Sequence, residues 1–261
     1  MMESIMPYIE TANGTMWFAD HRDATAHRPV TVMIHGAGGT HLDWPAELRR
    51  MPEANAILPD LPGHERSPGE GRTTVAGYAS DIIALLDALK LERAIVAGHS
   101  MGGAIAQTLA VNHPDRLRGM ILIGTGAKLG VHPDLLKALK AMTGEALDII
   151  MDWYWGGDLG EIEQIRRLTR KRLAAISPRV IAGDYAAANN FDIRDHLHRI
   201  KTPTLIIGGT ADKMTPFKYS EYLHEHIANS TLVKIEGGGH MMMLEQPKAV
   251  ADAVQRWLSA L

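Results

Sequence analysis

Ala94-Ile95-Val96-Ala97-Gly98-His99-Ser100-Met101-Gly102-Gly103 is the stretch that decides the reading of this chain. An apolar run of strand length ends at Gly98, and a helical pattern continues from Ala104 to Asn112. A serine between two glycines at a strand-to-helix corner is a nucleophile elbow. The turn is sharp enough to strain the serine backbone and to lift its hydroxyl clear of the sheet. A side chain at Gly98 or Gly102 would collide with the neighbouring strand or helix.

A serine hydroxyl is a weak nucleophile at neutral pH, so it needs a base, and the base needs an orienting partner. Downstream of such an elbow the partners come in the order acid, then histidine. Lys201 to Gly209 reads as a buried strand running into a turn, and Thr210-Ala211-Asp212 follows. Thr231 to Ile235 reads as the next strand, followed by Glu236-Gly237-Gly238-Gly239-His240. Asp212 and His240 therefore sit on loops at strand ends. If those strands run parallel to the one feeding Ser100, the three residues share one edge of the sheet, where open α/β sheets bind ligands. Asp134 is the fallback acid, because the corner after the sixth strand holds Thr125 and Gly126.

Upstream, the strand Val30-Thr31-Val32-Met33-Ile34 runs directly into His35-Gly36-Ala37-Gly38-Gly39. Acyl transfer through a tetrahedral intermediate needs N–H groups aimed at the developing oxyanion, and losing one costs roughly 3–4 kcal/mol. One donor is the residue after the nucleophile, Met101; Ala37 is the expected second, with Gly36 and Gly38 as the flanking alternatives. The dipole of the helix that follows Ser100 favours negative charge at the same place.

Taken together, His35-Gly36-Ala37-Gly38-Gly39, Pro59-Asp60-Leu61-Pro62-Gly63-His64, Gly98 to Gly103, Asp212 and Gly238-Gly239-His240 resemble the α/β-hydrolase family over nearly the whole chain. Within it, the chain looks like a capped serine carboxylesterase. The resemblance implies an α/β fold with an eight-stranded, mostly parallel sheet flanked by helices. It implies Ser100, Asp212 and His240 as the catalytic triad, Ala37 and Met101 as the oxyanion hole, and no cofactor or metal. It also implies a helical cap inserted after strand 6, where the strand pattern stops between 127 and 197. Residues 1–126 and 198–261 would then form the core domain.

The cap region should write substrate specificity. It is rich in apolar residues, among them Leu135, Leu136, Leu139, Met142, Leu147, Ile149, Ile150 and Met151, followed by Trp153-Tyr154-Trp155. Trp153 and Trp155 are candidate pocket walls, although consecutive helical positions cannot all face one side. Met241, beside the histidine, is another, with gap-filling as its structural alternative. Gly36 and Gly38 complete the candidate pocket. The run Arg166-Arg167-Leu168-Thr169-Arg170-Lys171-Arg172 reads as a solvated face paired with Glu161 and Glu163.

Composition agrees with a single soluble unit. The chain has 261 residues, 46% hydrophobic and 22% charged, which is ordinary for a globular protein. A net charge of −3 provides no electrostatic footprint for nucleic acid or an anionic membrane. There is no cysteine, so disulfides and thiolate chemistry are excluded. Residues 1–7 lack the pattern of a secretory signal, and no run reaches membrane-spanning length, so a cytoplasmic location is expected. Among the 13 histidines, His35, His64 and His99 read as structural. His224 and His226 face different ways on a helix and make no zinc pair.

The expected reaction is hydrolysis of a small-molecule carboxylic ester with a short to medium acyl chain. Lactones, thioesters and C–C bonds engage the same groups, and peracid formation is a conceivable side activity. Serine at position 100 departs from the aspartate nucleophile of dehalogenases and epoxide hydrolases. Met241 and His99 depart from the tryptophan and asparagine usual in C–C hydrolases of this fold. A non-enzymatic ligand receptor is the alternative of a different class, because fold alone does not fix function. Oligomeric state is left open.

Overall fold

The computed structural model describes residues 8–23, 25, 27–141, 144–157 and 162–261. The N-terminal segment 1–7, Met142 and Glu161 lie outside the described residues.

Eight strands form one sheet in the order β1-β2-β4-β3-β5-β6-β7-β8. They are β1 Tyr8–Thr11, β2 Gly14–His21, β3 Thr31–Ile34, β4 Ala56–Pro59, β5 Ala94–His99, β6 Leu117–Ile123, β7 Thr204–Gly209 and β8 Ser230–Ile235. β3, β4, β5 and β7 are buried along their whole length, as expected for strands covered by helices on both faces. Edge strand β1 instead alternates exposed and half-buried residues. β1 and β2 pair antiparallel, as do β2 and β4, and the remaining pairs are parallel. β1 and β2 are joined by a two-residue hairpin turn. Gly14 pairs with Thr11, so Ala12 and Asn13 make the turn, and Gly14 takes φ +117° as β2 begins.

The helices are α1 Ala46–Arg49, α2 Val75–Ala88, α3 Met101–Asn112, α4 Pro133–Lys140, α5 Glu145–Tyr154, α6 Glu163–Ala175, α7 Pro178–Asn189, α8 Lys218–His226, α9 Met242–Glu245 and α10 Pro247–Ala260. Thr74 caps α2 by accepting from Gly77 N–H at 3.1 Å. Tyr78, Ile82, Leu85 and Leu86 are fully buried on its inner side, and Ile83 and Leu89 are half-buried. Helix α3 is buried from Met101 to Val111. A helix apolar all round belongs in the interior, and this one ties the elbow into the core. None of the described helices is long and apolar enough to cross a membrane.

Two features position the site. Strand β3 lies between β4 and β5, so the chain leaves β3 in one direction and later returns on its other side. That reversal opens a crevice at the C-terminal ends of β3 and β5. The second feature is the insert between β6 and β7, which holds α4 to α7 and no named strand among the described residues. Its two ends are laced together by a bridge between Lys128 and Asp192, by Ile193 N–H to Ala127 C=O at 2.8 Å, and by Leu129 N–H to Phe191 C=O at 3.3 Å. A 3₁₀ turn, Arg194–Arg199, then runs across the expected boundary at 197.

Candidate active site

Ser100 occupies the corner between β5 and α3 with φ +52° and ψ −117°, a conformation rare for a residue with a side chain. The strain is held from several sides. Ser100 N–H donates to Ile123 C=O at 3.0 Å, and its own carbonyl accepts from Gly103 N–H at 2.9 Å and the Thr125 hydroxyl at 2.8 Å. Thr125, at the place a rival acid would occupy, thus props the elbow. A β-carbon on Gly98 would run into the Gly102 carbonyl. One on Gly102 would lie 2.7 Å from the His35 carbonyl and still closer to that of Ile34. Both glycines are therefore required by backbone approach.

Asp212 follows β7 and His240 follows β8, and the structure brings the two side chains together. His240 Nδ1 lies 3.0 Å from Asp212 Oδ2 and 3.2 Å from Oδ1. Oδ1 also accepts the N–H groups of Met214 and Thr215, each at 2.8 Å, and Oδ2 accepts the Thr215 hydroxyl at 2.7 Å. Burial favours a neutral Asp212 carboxyl, but the facing His240 and the Thr215 donors outweigh it and hold its pKa below the ordinary carboxylate value. With Nδ1 turned to a carboxylate, Nε2 is the nitrogen free to take a proton.

His99 supports that histidine from below. Its Nε2 donates to the His240 carbonyl at 2.9 Å, and the two rings sit 4.7 Å apart. Burial, with His240 alongside, pushes the His99 pKa down to about 3, so the ring is neutral. Glu245 holds the same loop from the other side, accepting from Gly239 N–H and Gly156 N–H at 3.1 Å each.

The glycine-rich loop after β3 is fixed by several bonds. Leu61 N–H donates to His35 Nε2 at 3.0 Å, which places the ring proton on Nδ1, where it meets the Gly36 carbonyl at 2.8 Å. Gly39 N–H donates to that carbonyl too, at 3.0 Å. Gly38 N–H is committed to the Asp184 carboxylate at 2.7 Å, so it is not available to an oxyanion. Ala37 lines the same cavity as Ser100, and Met101 opens α3 directly beyond it.

Asp184 comes from α7 and is fully buried. Besides Gly38 it accepts from the Tyr78 hydroxyl at 2.5 Å and from His64 Nε2 at 2.8 Å. His64 Nδ1 meets the Pro62 carbonyl at 3.1 Å, so both ring nitrogens face acceptors, an arrangement that favours the imidazolium. Burial opposes that charge; the Asp184 carboxylate overrides it and raises the His64 pKa. An unfolded histidine titrates near ~6.5. The stabilisation from this pair is therefore complete below that pH and is lost as pH rises through the higher folded value. The melting-temperature advantage of the wild type over His64→Gln should accordingly shrink between pH 6 and pH 9. An advantage that stays constant over that range would mean that the ring is uncharged.

A cavity of about 350 Å³ opens over Ser100, within the size range of small-molecule sites. Its walls come from the insert (Leu129, Val131, Leu135, Trp153, Tyr185) and from the loop after Asp212 (Lys213 to Pro216). Of the pocket residues expected from sequence, Trp153 lines this cavity and four do not. Trp155 is 3% exposed: α5 ends at Tyr154, and the extended backbone of Trp155 turns its indole into the core. Met241 is 1% exposed and packs inside, its N–H bound to Tyr154 C=O at 3.0 Å. Gly36 backs onto the His99 and Ser100 side chains, and Gly38 onto Leu173 and Ile181. Sequence reasoning missed the loop after Asp212, although its attachment to the acid was a usable signal. Asp184 and Tyr185 carry no such local signal. Arg172 of the basic run reaches Asp43 at 3.5 Å, and Arg170 pairs with Asp148 at 2.7 Å. Among the described residues, no group of three or more His, Asp or Glu side chains is arranged to hold a metal.

A strained serine at a helix N-terminus beside a cavity, with a buried carboxylate–imidazole pair on the same sheet edge, is an arrangement suited to acyl-transfer chemistry. The family model described as "Alpha/beta hydrolase family" matches residues 31–253, and the chain belongs to that family. It is 31% identical to the putative carbamate hydrolase RutD of Caulobacter sp. (strain K31), over 92% of this chain and 94% of that protein. It is 30% identical to 3-oxoadipate enol-lactonase 2 of Acinetobacter baylyi, over 88% of each. Among solved structures, a hydrolase from Pseudomonas aeruginosa PA01 superposes with a TM-score of 0.87 at 28% identity, covering 98% of this chain and 99% of that one.

Proposed function

We propose that this protein hydrolyses small carboxylic esters of short to medium acyl chain through a Ser100–His240–Asp212 triad. The observation that carries the reading is the buried His240–Asp212 pair, with Nδ1 held at 3.0 Å by a carboxylate kept ionised, on the same sheet edge as the strained Ser100. Ser100 Oγ attacks the ester carbonyl carbon while its proton passes to His240 Nε2. The N–H groups of Ala37 and Met101 hold the resulting oxyanion. Collapse of the tetrahedral intermediate breaks the bond to the alkoxy oxygen, which takes the proton from His240. Water, deprotonated by His240, then attacks the acyl-enzyme and frees the acid. The two relatives compared above carry names for hydrolysis of a carbamate and of an enol lactone. Both substrates, like an ester, present an acyl carbon bearing a heteroatom leaving group.

In this reading the insert between β6 and β7 serves as a cap that sets acyl length. The testing experiment is kcat/KM on p-nitrophenyl esters from acetate to dodecanoate, with Ser100→Ala alongside. A maximum at short or medium chains, absent in the variant, is expected; no serine-dependent turnover at any length would overturn the ester reading. Trp153 supplies a second check. Its indole forms one wall of the cavity and stands 5.4 Å, edge-on, from His132. Trp153→Ala should shift the preference toward longer chains. It should raise the dodecanoate-to-butyrate ratio of kcat/KM by roughly tenfold, the scale on which apolar pocket contacts discriminate. An unchanged ratio would place the acyl chain elsewhere.

A further inference from the structure

One peptide unit, Ala37–Gly38, is gripped from both ends by the helical insert. Its N–H donates to Asp184 on α7 at 2.7 Å. Its C=O accepts from the Tyr154 hydroxyl, at the end of α5, at 3.2 Å. Tyr154 is itself hydrogen-bonded to Tyr185 of α7, one residue along from Asp184. The preceding peptide, Gly36–Ala37, is fixed by the core instead, through Gly39 N–H and His35 Nδ1 on the Gly36 carbonyl. The Ala37 N–H lies in the Gly36–Ala37 plane, and the Ala37–Gly38 plane meets it at the Ala37 Cα, so a grip on the second restrains rotation and displacement of the first. The core sets one plane and the insert sets the other.

We propose that Asp184 and Tyr154 are positioning residues that aim the Ala37 N–H, so that the oxyanion hole is complete only with the insert seated. The proposal rests on Ser100 as the nucleophile and Ala37 as a donor. Neither Asp184 nor Tyr154 needs to touch the reacting atoms. Asp184 is anchored to the core independently, by His64 and the Tyr78 hydroxyl. It therefore transmits the position of the core scaffold and of α7 to the loop together. Oxyanion donors act through alignment, and a full loss is worth about 10²–10³ in kcat. A donor left in place but misdirected should forfeit part of that.

The test compares wild type with Asp184→Ala, Asp184→Asn and Tyr154→Phe by two readouts. One is kcat and KM on p-nitrophenyl butyrate. The other is the rate at which an alkyl fluorophosphonate labels Ser100, forming an Oγ–P bond and expelling fluoride, which uses the oxyanion hole without requiring the right substrate. Asp184→Ala should lower kcat and the labelling rate about 10- to 100-fold, with KM within about threefold. Asp184→Asn retains an oxygen for the Gly38 N–H and should recover most of the loss. Tyr154→Phe should lower both rates about five- to tenfold, and combined with Asp184→Ala it should add little, because both act on one peptide.

If Asp184→Ala does not fold, Tyr154→Phe alone decides the matter. A folded Asp184→Ala, or failing that Tyr154→Phe, with wild-type kcat and labelling overturns the proposal while leaving the nucleophile in place. Asp184→Asn as damaged as Asp184→Ala also overturns it, since charge and not loop alignment would then be at work. Wild type that fails to label at Ser100 removes the functional reading itself, and the proposal with it.

Discussion

Ser100→Ala is expected to lower kcat on p-nitrophenyl esters by a factor on the order of 10⁶ while leaving the fold intact. The size follows from the role. Removing Oγ removes the attacking atom, so His240 has no proton to accept, Asp212 no imidazolium to stabilise, and the acyl-enzyme route closes. What survives is whatever the oxyanion donors and the cavity do for direct attack by water. The fold should survive because the elbow is held by backbone, namely Ser100 N–H on Ile123 and the Ser100 carbonyl under Gly103 and Thr125. The left-handed φ of +52° persists with alanine, so the variant keeps the strain and loses only the hydroxyl. Steady-state rates on the best ester, with a thermal melt for both proteins, check this. A loss under a hundredfold in a folded variant would mean that another group attacks.

Asp212→Asn should cost about 10⁴ in kcat with little effect on stability. The geometry says how the amide will sit. Oδ1 accepts two backbone N–H groups, from Met214 and Thr215, and backbone donors cannot be reversed. The asparagine oxygen therefore takes that place. Its NH₂ replaces Oδ2 and points at His240 Nδ1 and at the Thr215 hydroxyl, which can turn to accept. Nδ1 must then accept a hydrogen bond, the ring proton moves to Nε2, and the nitrogen facing the pocket can no longer take a proton from Ser100. Kinetics measure the loss, and the imidazole ¹⁵N shifts report the tautomer. A drop of less than tenfold would remove His240 from the role of base.

Much of this was legible because the informative constraints are local. Gly98 and Gly102 announce a close approach of backbone to backbone, and the structure places carbonyls where their β-carbons would be. Ser100, Asp212 and His240 each end a strand–loop unit that hydrophobic runs and glycines mark out, and the parallel sheet brings Asp212 and His240 into contact. The insert was legible as a gap in strand pattern. Its inward-facing residues were not, since which side of α5 meets the cavity depends on where that helix stops. It stops at Tyr154, and so the two tryptophans part company, Trp153 to the cavity and Trp155 to the core. Asp184 was illegible for a stronger reason. It lies among ordinary helix residues, and its partners are 106, 120 and 146 positions away. A single sequence carries no trace of such a meeting.

The laced neck of the insert has a consequence for anyone who wishes to transplant it. Ala127 and Ile193 are bonded to each other, so the segment between them leaves and re-enters the core at one point and could be exchanged for another of different length without parting the sheet. The graft would nevertheless be coupled to the chemistry beneath it. Any substitute must bring an acceptor to the Gly38 N–H and a donor to the Ala37 carbonyl, as Asp184 and Tyr154 do. Chimeras of this protein should therefore sort by those two contacts before they sort by pocket shape.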